Sequence, residues 1–358
     1  MNRKDLLQKL NQAKPFLMGQ DFIPILMHYC FDTKHVVAYN DVSGIQISME
    51  SELSCAVPGS LILKMLNTMT SETVRIEKLN ERNIQLLDGK TKVKLPILPT
   101  EEFIFKLPDI SEISPVILAK SFLKGLEKTS ISVGNDPAHP DQQGIFWSVG
   151  PGYIKTFSTD NKTLSKFEQQ ATGIGHKEKF EVITPAFFCE QLIALAATYA
   201  DGMDYIELYF GKDFVVATLG ENNSCTIFTR LINTDTALKY EEVISNLLEH
   251  VTKDHFINPP SGFIPSLERA SVILNAKVDG GSASVVVEGQ DVTITAESVI
   301  GRSLDTLEFP HNLGQFSFRV DPNLILRGFK VAGKIALLDT LVVMSSESFV
   351  HLISHSEE

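Results

Sequence analysis

The chain has 358 residues, of which 43% are hydrophobic and 21% charged, a composition typical of globular proteins and not of disordered ones. This length exceeds one ordinary core and fits two or three domains of about 100–150 residues each. The formal net charge of −12 argues against a protein that coats DNA over its whole surface, but it allows one that meets DNA on a single face.

Neither a membrane span nor a secretory signal is expected, because no window approaches about 18 consecutive apolar residues. The four cysteines are widely spaced and form no CxxC or Cys/His metal pair, so we expect reduced thiols in a core. They are Cys30, Cys55, Cys189 and Cys225. The sequence therefore predicts a cytoplasmic protein that needs no metal and no cofactor.

Two helices, each followed by strands, are predicted in the first third of the chain. Apolar residues at helical spacing predict a helix over Arg3–Met18. A second helix, over about residues 58–69, begins at Pro58, because the fixed φ of proline suits the first helical position. Three strand-like runs follow each helix: Ile25–Phe31, His35–Asn40 and Gly44–Glu50 after the first, and Thr73–Lys78, Asn83–Leu87 and Thr91–Leu98 after the second.

The same order of elements recurs in the middle and the last third. Helices over Val116–Lys128 and near Phe263–Asn275 open these parts. Further helices begin at Pro185 and Pro322, for which Thr184 and Asp321 are the expected N-caps. The strand-like runs are Gly144–Val149, Tyr153–Ser158, Leu164–Gln170, Tyr205–Phe210, Phe214–Leu219, Cys225–Leu231, Ala283–Glu288, Asp291–Ser298, Ser303–Glu308 and further runs to Ser354.

This recurrence predicts one domain built three times. The three helix-opening prolines lie 185 − 58 = 127 and 322 − 185 = 137 positions apart, close to a third of the chain. Polar or proline-rich segments at 108–115, near 233–245 and at 258–262 mark the junctions. Two amphipathic helices per repeat need a sheet to cover their apolar faces, which predicts α+β domains with two helices on an antiparallel sheet. The predicted domains are residues 1–111, 112–244 and 245–358.

Motifs of catalysis and nucleotide binding are missing or incomplete. The segment Gly328–Ile335 matches G-x-x-x-x-G-K but places Ile335 where a phosphate loop needs a hydroxyl. It also follows a helix instead of opening one, so we interpret Gly333 as a helix C-cap. We therefore expect no enzyme. The alternative is an enzyme whose site is assembled from scattered groups such as His139, Asp160 and Lys162.

Basic residues concentrate on the predicted helices. Lys120, Lys124 and Lys128 recur at i, i+4 and i+8 and form one stripe. The other basic helix positions are Arg3, Lys4, Lys9, Lys14, Lys64, Arg269, Arg327, Lys330 and Lys334, while the helix after Pro185 carries none. In a chain of negative net charge, this distribution predicts a positive surface for DNA phosphates. The alternative interpretation is that these lysines only keep the helices soluble.

Short segments in all three repeats resemble the bacterial DNA polymerase III beta subunit, the sliding clamp family, which includes phage-encoded members. Ser158–Leu164 is similar to the family's A-T-D-G-H-R-L segment, and Phe228–Ile232 to its strand before the second junction. Further resembling segments are Pro24–Leu26, Val57–Pro58 and Leu98–Phe103 in the first repeat, and Leu267–Ser271 and Val292–Ala296 in the third. Their order and spacing extend the resemblance over nearly the whole chain.

The resemblance implies a head-to-tail homodimer in which six similar domains close a ring. Helices would line the hole, so the twelve basic residues named above would face double-stranded DNA, which the ring holds without reading its sequence. Phe103 and Phe105, facing Val272 and Ile273 of a second copy, are the candidate contacts that close the ring. The implied partners are DNA, a DNA polymerase, a clamp loader and a second copy, and no membrane.

The resemblance also implies a groove between the second and third domains that receives short hydrophobic peptides from polymerases and the clamp loader. Its residues, carried over by alignment, are Thr159, Asn161, Lys162, Thr163, Leu164, Leu238, Val243, Val350, Leu352 and Ile353. For Leu164, Val243 and Val350 a plain core role is the alternative.

This chain departs from the family pattern at the groove. Asn161 replaces the family glycine, Lys162 and Thr163 replace His-Arg, and the tail lacks the M-P-M-R-L ending. We therefore expect a peptide preference specific to its own replisome. The alternative for the whole protein is a β-rich structural or adaptor protein of a phage or replisome that uses this repeat without encircling DNA.

Overall fold

A computed structural model describes residues 1–19, 23–103, 105–170, 179–199, 205–233, 239–274 and 281–357. Within these residues the chain forms seven α-helices and 23 β-strands. The helices are α1 Arg3–Ala13, α2 Gly59–Thr68, α3 Lys120–Thr129, α4 Ala186–Thr198, α5 Tyr240–Leu247, α6 Phe263–Leu274 and α7 Pro322–Phe329. None of the described helices combines the length and the apolar character needed to cross a membrane.

The strands follow the helices in the alternating order that the sequence predicts. The first twelve are β1 His28–Asp32, β2 His35–Tyr39, β3 Ser43–Ser48, β4 Ser54–Pro58, β5 Arg75–Asn80, β6 Asn83–Asp88, β7 Thr91–Pro96, β8 Val116–Ala119, β9 Gly144–Gly150, β10 Tyr153–Thr159, β11 Thr163–Gln170 and β12 Phe180–Pro185. The others are β13 Tyr205–Phe210, β14 Phe214–Leu219, β15 Cys225–Arg230, β16 Ala283–Glu288, β17 Asp291–Ser298, β18 Gly301–Glu308, β19 Gln315–Val320, β20 Lys334–Leu337, β21 Leu341–Ser346, β22 Phe349–Ser354 and β23 Ser356–Glu357.

The structure adds one strand to each predicted repeat, directly before the helix that a proline was expected to open. These strands are β4, β12 and β19. As a result Pro58 and Pro185 end strands, and only Pro322 occupies a first helical position. Asp321 caps α7 as predicted, through the N–H of Asn323. Thr184 was expected to cap its helix, but it is buried and its Oγ1 accepts a hydrogen bond from the Trp147 indole at 2.8 Å.

Four other boundaries differ from the sequence prediction. Helix α1 ends at Ala13 and continues as a 3-10 turn, because Pro15 cannot extend an α-helix. The predicted helix from Val116 begins as strand β8 and becomes helical only at Lys120. Helix α7 is capped by Lys330 and not by Gly333. The segment near 233–245, interpreted as a connector, contains the start of α5.

The described residues group into two compact units, of which the first contains residues 1–120 and 187–231. It is built on an eight-stranded antiparallel sheet in the order β4-β1-β2-β3-β15-β14-β13-β8 and a three-stranded sheet β5-β6-β7. Strand β3 of the first repeat pairs with β15 of the second, with Ile45 opposite Ile227. The sheet therefore continues across a repeat boundary.

The second compact unit contains residues 121–170, 179–186 and 232–357. Its seven-stranded sheet has the order β12-β9-β10-β11-β22-β21-β20, and its five-stranded sheet has the order β18-β17-β16-β19-β23. Strand β11 of the second repeat pairs with β22 of the third, with Leu164 opposite Leu352. Because strands pair across repeats, the boundary between the two compact units falls within the second repeat. The three predicted domains, residues 1–111, 112–244 and 245–358, stay a prediction.

Candidate functional site

A groove of about 260 Å³ lies in the second compact unit, next to the junction of β11 and β22. It is lined by Thr159, Asn161, Lys162, Thr163, Leu164, Lys239, Tyr240, Val243, Leu247, Leu352 and Ser354. Seven of these residues are among the ten predicted from the resemblance. Of the other three, Val350 and Ile353 pack into cores beside the groove, and Leu238 lies outside the described residues.

One wall of the groove is the tight turn between β10 and β11. Asp160 holds this turn, because its Oδ1 accepts hydrogen bonds from the Thr163 N–H at 2.6 Å, the Thr163 hydroxyl at 2.8 Å and the Lys162 N–H at 3.1 Å. Asn161 has a φ of 66°, a left-handed conformation that asparagine and glycine tolerate best. Asparagine therefore suits this position of the turn.

The opposite wall is helix α5, which presents apolar side chains to solvent. Val243 and Leu247, one helical turn apart, are 45% and 43% exposed. Tyr240 lies one turn earlier and is buried, with its ring stacked on Phe157 at 5.6 Å between centroids. The spacing of these three residues at i, i+3 and i+7 was the available sequence signal for this wall, and the interpretation of the segment as a connector missed Tyr240 and Leu247.

An ion-pair network holds α5 on the sheet. The Lys155 ammonium on β10 contacts the carboxylate of Glu241 on α5 and lies 4.0 Å from that of Glu168. The hydrogen bond from Lys155 is the main reason why the pKa of Glu241 is lowered. Burial works to lower the pKa of Lys155, but the two carboxylates outweigh it and raise that pKa. The ion pair therefore positions the helix that carries the apolar wall.

The floor of the groove is formed where β11 meets β22. Leu164 and Leu352 pair there, and the Ser354 N–H and hydroxyl donate hydrogen bonds to the Lys162 carbonyl at 2.8 and 2.9 Å. Among the lining residues Lys162 and Lys239 carry positive charge and none is acidic. The groove therefore offers apolar contacts beside two cations.

The basic residues predicted to face DNA differ in exposure and in bonding. Six lysines are exposed: Lys4, Lys14, Lys64, Lys124, Lys330 and Lys334. Lys120 is half-buried. Five residues make hydrogen bonds or ion pairs within the chain, and one of these, Arg269, is also exposed: Arg3, Lys9, Lys128, Arg269 and Arg327.

The bonded basic side chains connect elements to one another. The Arg3 guanidinium donates to the Ser71 and Leu66 carbonyls at 2.9 and 3.1 Å, which ties the start of α1 to the end of α2. Lys128 donates to the Ser346 hydroxyl at 2.8 Å, and Arg269 pairs with Asp305 at 2.6 Å. Lys9 pairs with Asp5 of the same helix. These charges stabilise the fold, so the exposed lysines are the ones most available to a polyanion.

A polar cluster around the buried His351 lies behind the groove turn. Arg327 of α7 pairs with Asp160 Oδ2 at 3.3 Å. The fully buried His351 of β22 contacts the Ser165 and Ser132 hydroxyls through Nδ1 at 2.9 and 3.3 Å. Burial and the nearby Arg327 lower the pKa of His351 to about 4, so its ring is neutral at physiological pH. Asp160 is therefore the charged partner of Arg327 in this cluster.

The four residues predicted to close a dimer have different surroundings. Phe105 stacks on Tyr39 at 4.6 Å and, with Phe103, packs against a core cluster of the first unit. Val272 is 67% exposed, and Ile273 packs against the core of the second unit. Their role between copies stays a prediction.

Two residues of the alternative catalytic site, Asp160 and Lys162, belong to the groove turn. The third, His139, lies before a 3-10 turn whose Gln142 donates a hydrogen bond to Asn161 Oδ1 at 3.0 Å. Among the described residues, no three His, Cys, Asp or Glu side chains come together as a metal site would require.

Solved structures similar to this chain are bacterial sliding clamps. The DNA polymerase beta subunit of Streptococcus pyogenes matches with a TM-score of 0.85 at 17% identity, over 100% of this chain and 99% of that one. The sliding clamp of Bacillus subtilis matches with a TM-score of 0.84 at 16% identity, over 100% and 98%. That of Pseudomonas aeruginosa matches with a TM-score of 0.85 at 15% identity, over 100% and 99%.

No protein-family model and no curated protein sequence matches the chain. The structural likeness alone confirms the fold predicted from the resemblance, which is that of the DNA polymerase III beta subunit.

Proposed function

We propose that this protein is a DNA polymerase processivity factor, a sliding clamp that encircles duplex DNA as a head-to-tail homodimer. It would hold the replicative polymerase on DNA without catalysing a reaction, in the compartment where DNA is replicated. The observation that carries this proposal is the full-length match to solved sliding clamps. It covers 100% of this chain and at least 98% of the matched chains.

The way in which sheets continue across repeats supports ring closure. In both continuous sheets, the strand just before the added strand of one repeat pairs with the last six-residue strand of the next repeat: β3 with β15, and β11 with β22. Among the described strands, the same rule leaves two without such a partner, β7 of the first repeat and β18 of the third. Pairing of β7 with β18 of a second copy would satisfy both edges, and two such contacts close a ring.

The two edges have complementary chemistry. Lys90, Lys92 and Lys94 are exposed on and beside β7. Strand β18 carries the exposed Glu308 near its end, Asp305, which pairs with Arg269, and the exposed Arg302 near its start. Its Leu304 is 57% exposed. Opposite charges favour the intermolecular pair, and the apolar side chain gains from burial there. Val272, 67% exposed, extends the apolar part of this surface.

The exposed lysines support non-specific contact with duplex DNA. They are distributed over α1, α2, α3 and the region of α7, and each would contribute a phosphate contact without reading a base. Helix α1 packs against α2, and α6 against α7, so each pair brings basic residues onto neighbouring helices. Helix α4 contributes no Lys or Arg.

The groove would receive short peptide segments of polymerase and clamp loader. Its exposed apolar wall and its two lysines favour an occupant that combines leucine or phenylalanine anchors with acidic residues. A labelled pentapeptide designed on this basis, Asp-Leu-Glu-Leu-Phe, is used below as the groove probe.

Retention on circular DNA tests the proposal. The protein is diluted until dimers dissociate, mixed with nicked circular plasmid, and concentrated so that rings re-form around the DNA. We expect protein to remain on the circles in high salt and to leave when a restriction enzyme linearises them. Equal retention on circular and linear DNA would contradict encirclement and favour the structural or adaptor alternative.

A further inference from the structure

A single ion pair connects helix α7 with the groove turn. The Arg327 Nη2 lies 3.3 Å from Asp160 Oδ2, and the two residues are 167 positions apart. Asp160 uses its two oxygens differently: Oδ1 accepts the three hydrogen bonds that shape the turn, and Oδ2 faces Arg327. Any change at Arg327 therefore reaches the residue that defines one wall of the groove.

The guanidinium of Arg327 is incompletely satisfied in this position. Its Nε is buried and has no hydrogen-bond partner, and the bond from Nη2 to Asp160 is long for a charged pair. The neighbouring His351 is buried and neutral, so it supplies no anionic partner for the guanidinium. About a third of the Arg327 side chain, 36%, is nevertheless exposed to solvent. A second anion can therefore reach this guanidinium and offer it better hydrogen bonds.

We propose that Arg327 couples DNA binding to the occupancy of the groove, a coupling that rests on the proposed function. A DNA phosphate at α7 competes with Asp160 for the guanidinium. When the phosphate prevails, Asp160 Oδ2 loses its partner, the Lys162–Thr163 turn is held less firmly, and a peptide binds the groove more weakly. By reciprocity, a bound peptide weakens the hold on DNA by the same factor.

The strength of the coupling is limited by the ion pair that carries it. Partly exposed ion pairs stabilise by small amounts, which corresponds to a change of about two- to fivefold in affinity. A coupling of this size would weaken a groove peptide on DNA without displacing it completely. It requires no movement of a helix, because the guanidinium only changes its acceptor.

A thermodynamic cycle tests the coupling. The affinity of the groove probe is measured by fluorescence anisotropy at low salt, with and without a saturating short linear duplex, and duplex affinity is measured separately. For the unchanged protein we expect the duplex to weaken probe binding about two- to fivefold. In Asp160→Asn, which retains the Oδ1 acceptor, and in Arg327→Met, the duplex should no longer change probe affinity.

Lys330→Met is the matched control, since it removes an exposed charge from the end of the same helix and leaves the Arg327–Asp160 pair in place. Lys330→Met should bind the duplex more weakly. Once it is saturated with duplex, its affinity for the probe should fall by the same factor as in the unchanged protein. An equal effect of the duplex on the probe in the unchanged protein and in Asp160→Asn would overturn the coupling alone. Loss of all probe binding in either variant would also overturn it, because the pair is assigned only a few-fold effect. Absence of duplex binding by the unchanged protein at low salt would contradict the phosphate contacts on which the coupling depends, whereas retention on circular DNA tests encirclement separately.

Discussion

The edge strands β7 and β18 and the groove are both candidate binding surfaces, but they present different chemical groups to a partner. Strands β7 and β18 offer unpaired backbone groups with lysines on one edge and carboxylates on the other. The groove offers no strand edge, because β11 and β22 already pair at its floor, and it exposes Val243 and Leu247 instead. The difference indicates that the edges suit one permanent partner of fixed geometry, whereas the groove suits short segments that exchange.

The largest effect is expected from reversing charge on one edge. Lys92→Glu with Lys94→Glu places carboxylates opposite the acidic edge of a second copy, where like charges repel, so the dimer should dissociate about a hundredfold more readily. Light scattering after size exclusion over a dilution series measures this change.

Arg75→Glu with Lys78→Glu makes the same charge change on β5, the opposite edge of the same small sheet. We expect this control to dimerise normally. Equal dissociation of both variants would show that net charge, and not the β7 edge, governs assembly.

A smaller effect is expected from a charge on the apolar wall of the groove. Leu247→Asp removes an apolar contact and adds an anion, which should lower the affinity for the groove probe about tenfold. This loss is comparable to the free energy gained by burying part of one leucine side chain. The neighbouring exposed Asn246→Asp carries the same charge change outside the lining and should bind the probe normally. Equal weakening by both variants would point to a general charge effect on α5. Both variants should dimerise like the unchanged protein.

The smallest effect concerns pH and the attachment of α5. The pKa of Glu241 is lowered in the folded protein, so the Lys155–Glu241 pair stabilises above the unfolded value of 4.5 and is lost as pH falls through the lower folded value. The raised pKa of Lys155 keeps the pair charged at neutral and moderately alkaline pH. We expect the probe to bind Glu241→Gln about two- to threefold more weakly than the unchanged protein at neutral pH, because the pair is partly exposed.

That difference between the two proteins should disappear in acid, below the folded pKa of Glu241. Anisotropy titrations of both proteins across this range measure it. A difference that stays constant with pH would show that the Glu241 carboxylate does not act through its charge.

Much of the fold follows from local patterns. Strands β13, β14, β16 and β17 begin and end where alternation of apolar residues predicts. Strands β4, β12 and β19 were missed because each runs directly into a helix, so the proline near the boundary was assigned to the helix alone. Thr184 illustrates the limit of such rules. Its sequence position suits an N-cap, but its hydroxyl oxygen accepts a hydrogen bond from the indole N–H of Trp147.

The site divides in the same way. The turn around Asn161 was predictable, since a left-handed residue and an Asp–Thr hydrogen bond are local features. The apolar wall on α5 was only half predicted, because Leu247 lines a groove only when the strands pack opposite it. The basic stripe on α3 was predicted as one surface, yet Lys128 is bonded to Ser346, which lies 218 positions away.

The amino-acid sequence alone predicted the threefold order of helices and strands and the basic helices in an acidic chain, because these depend on residues a few positions apart. Only the tertiary structure decided which strands meet across repeats, which cations are bonded and which apolar side chains remain exposed. Those outcomes depend on contacts between residues more than a hundred positions apart, such as β3 with β15 and Arg327 with Asp160, and no local pattern encodes them.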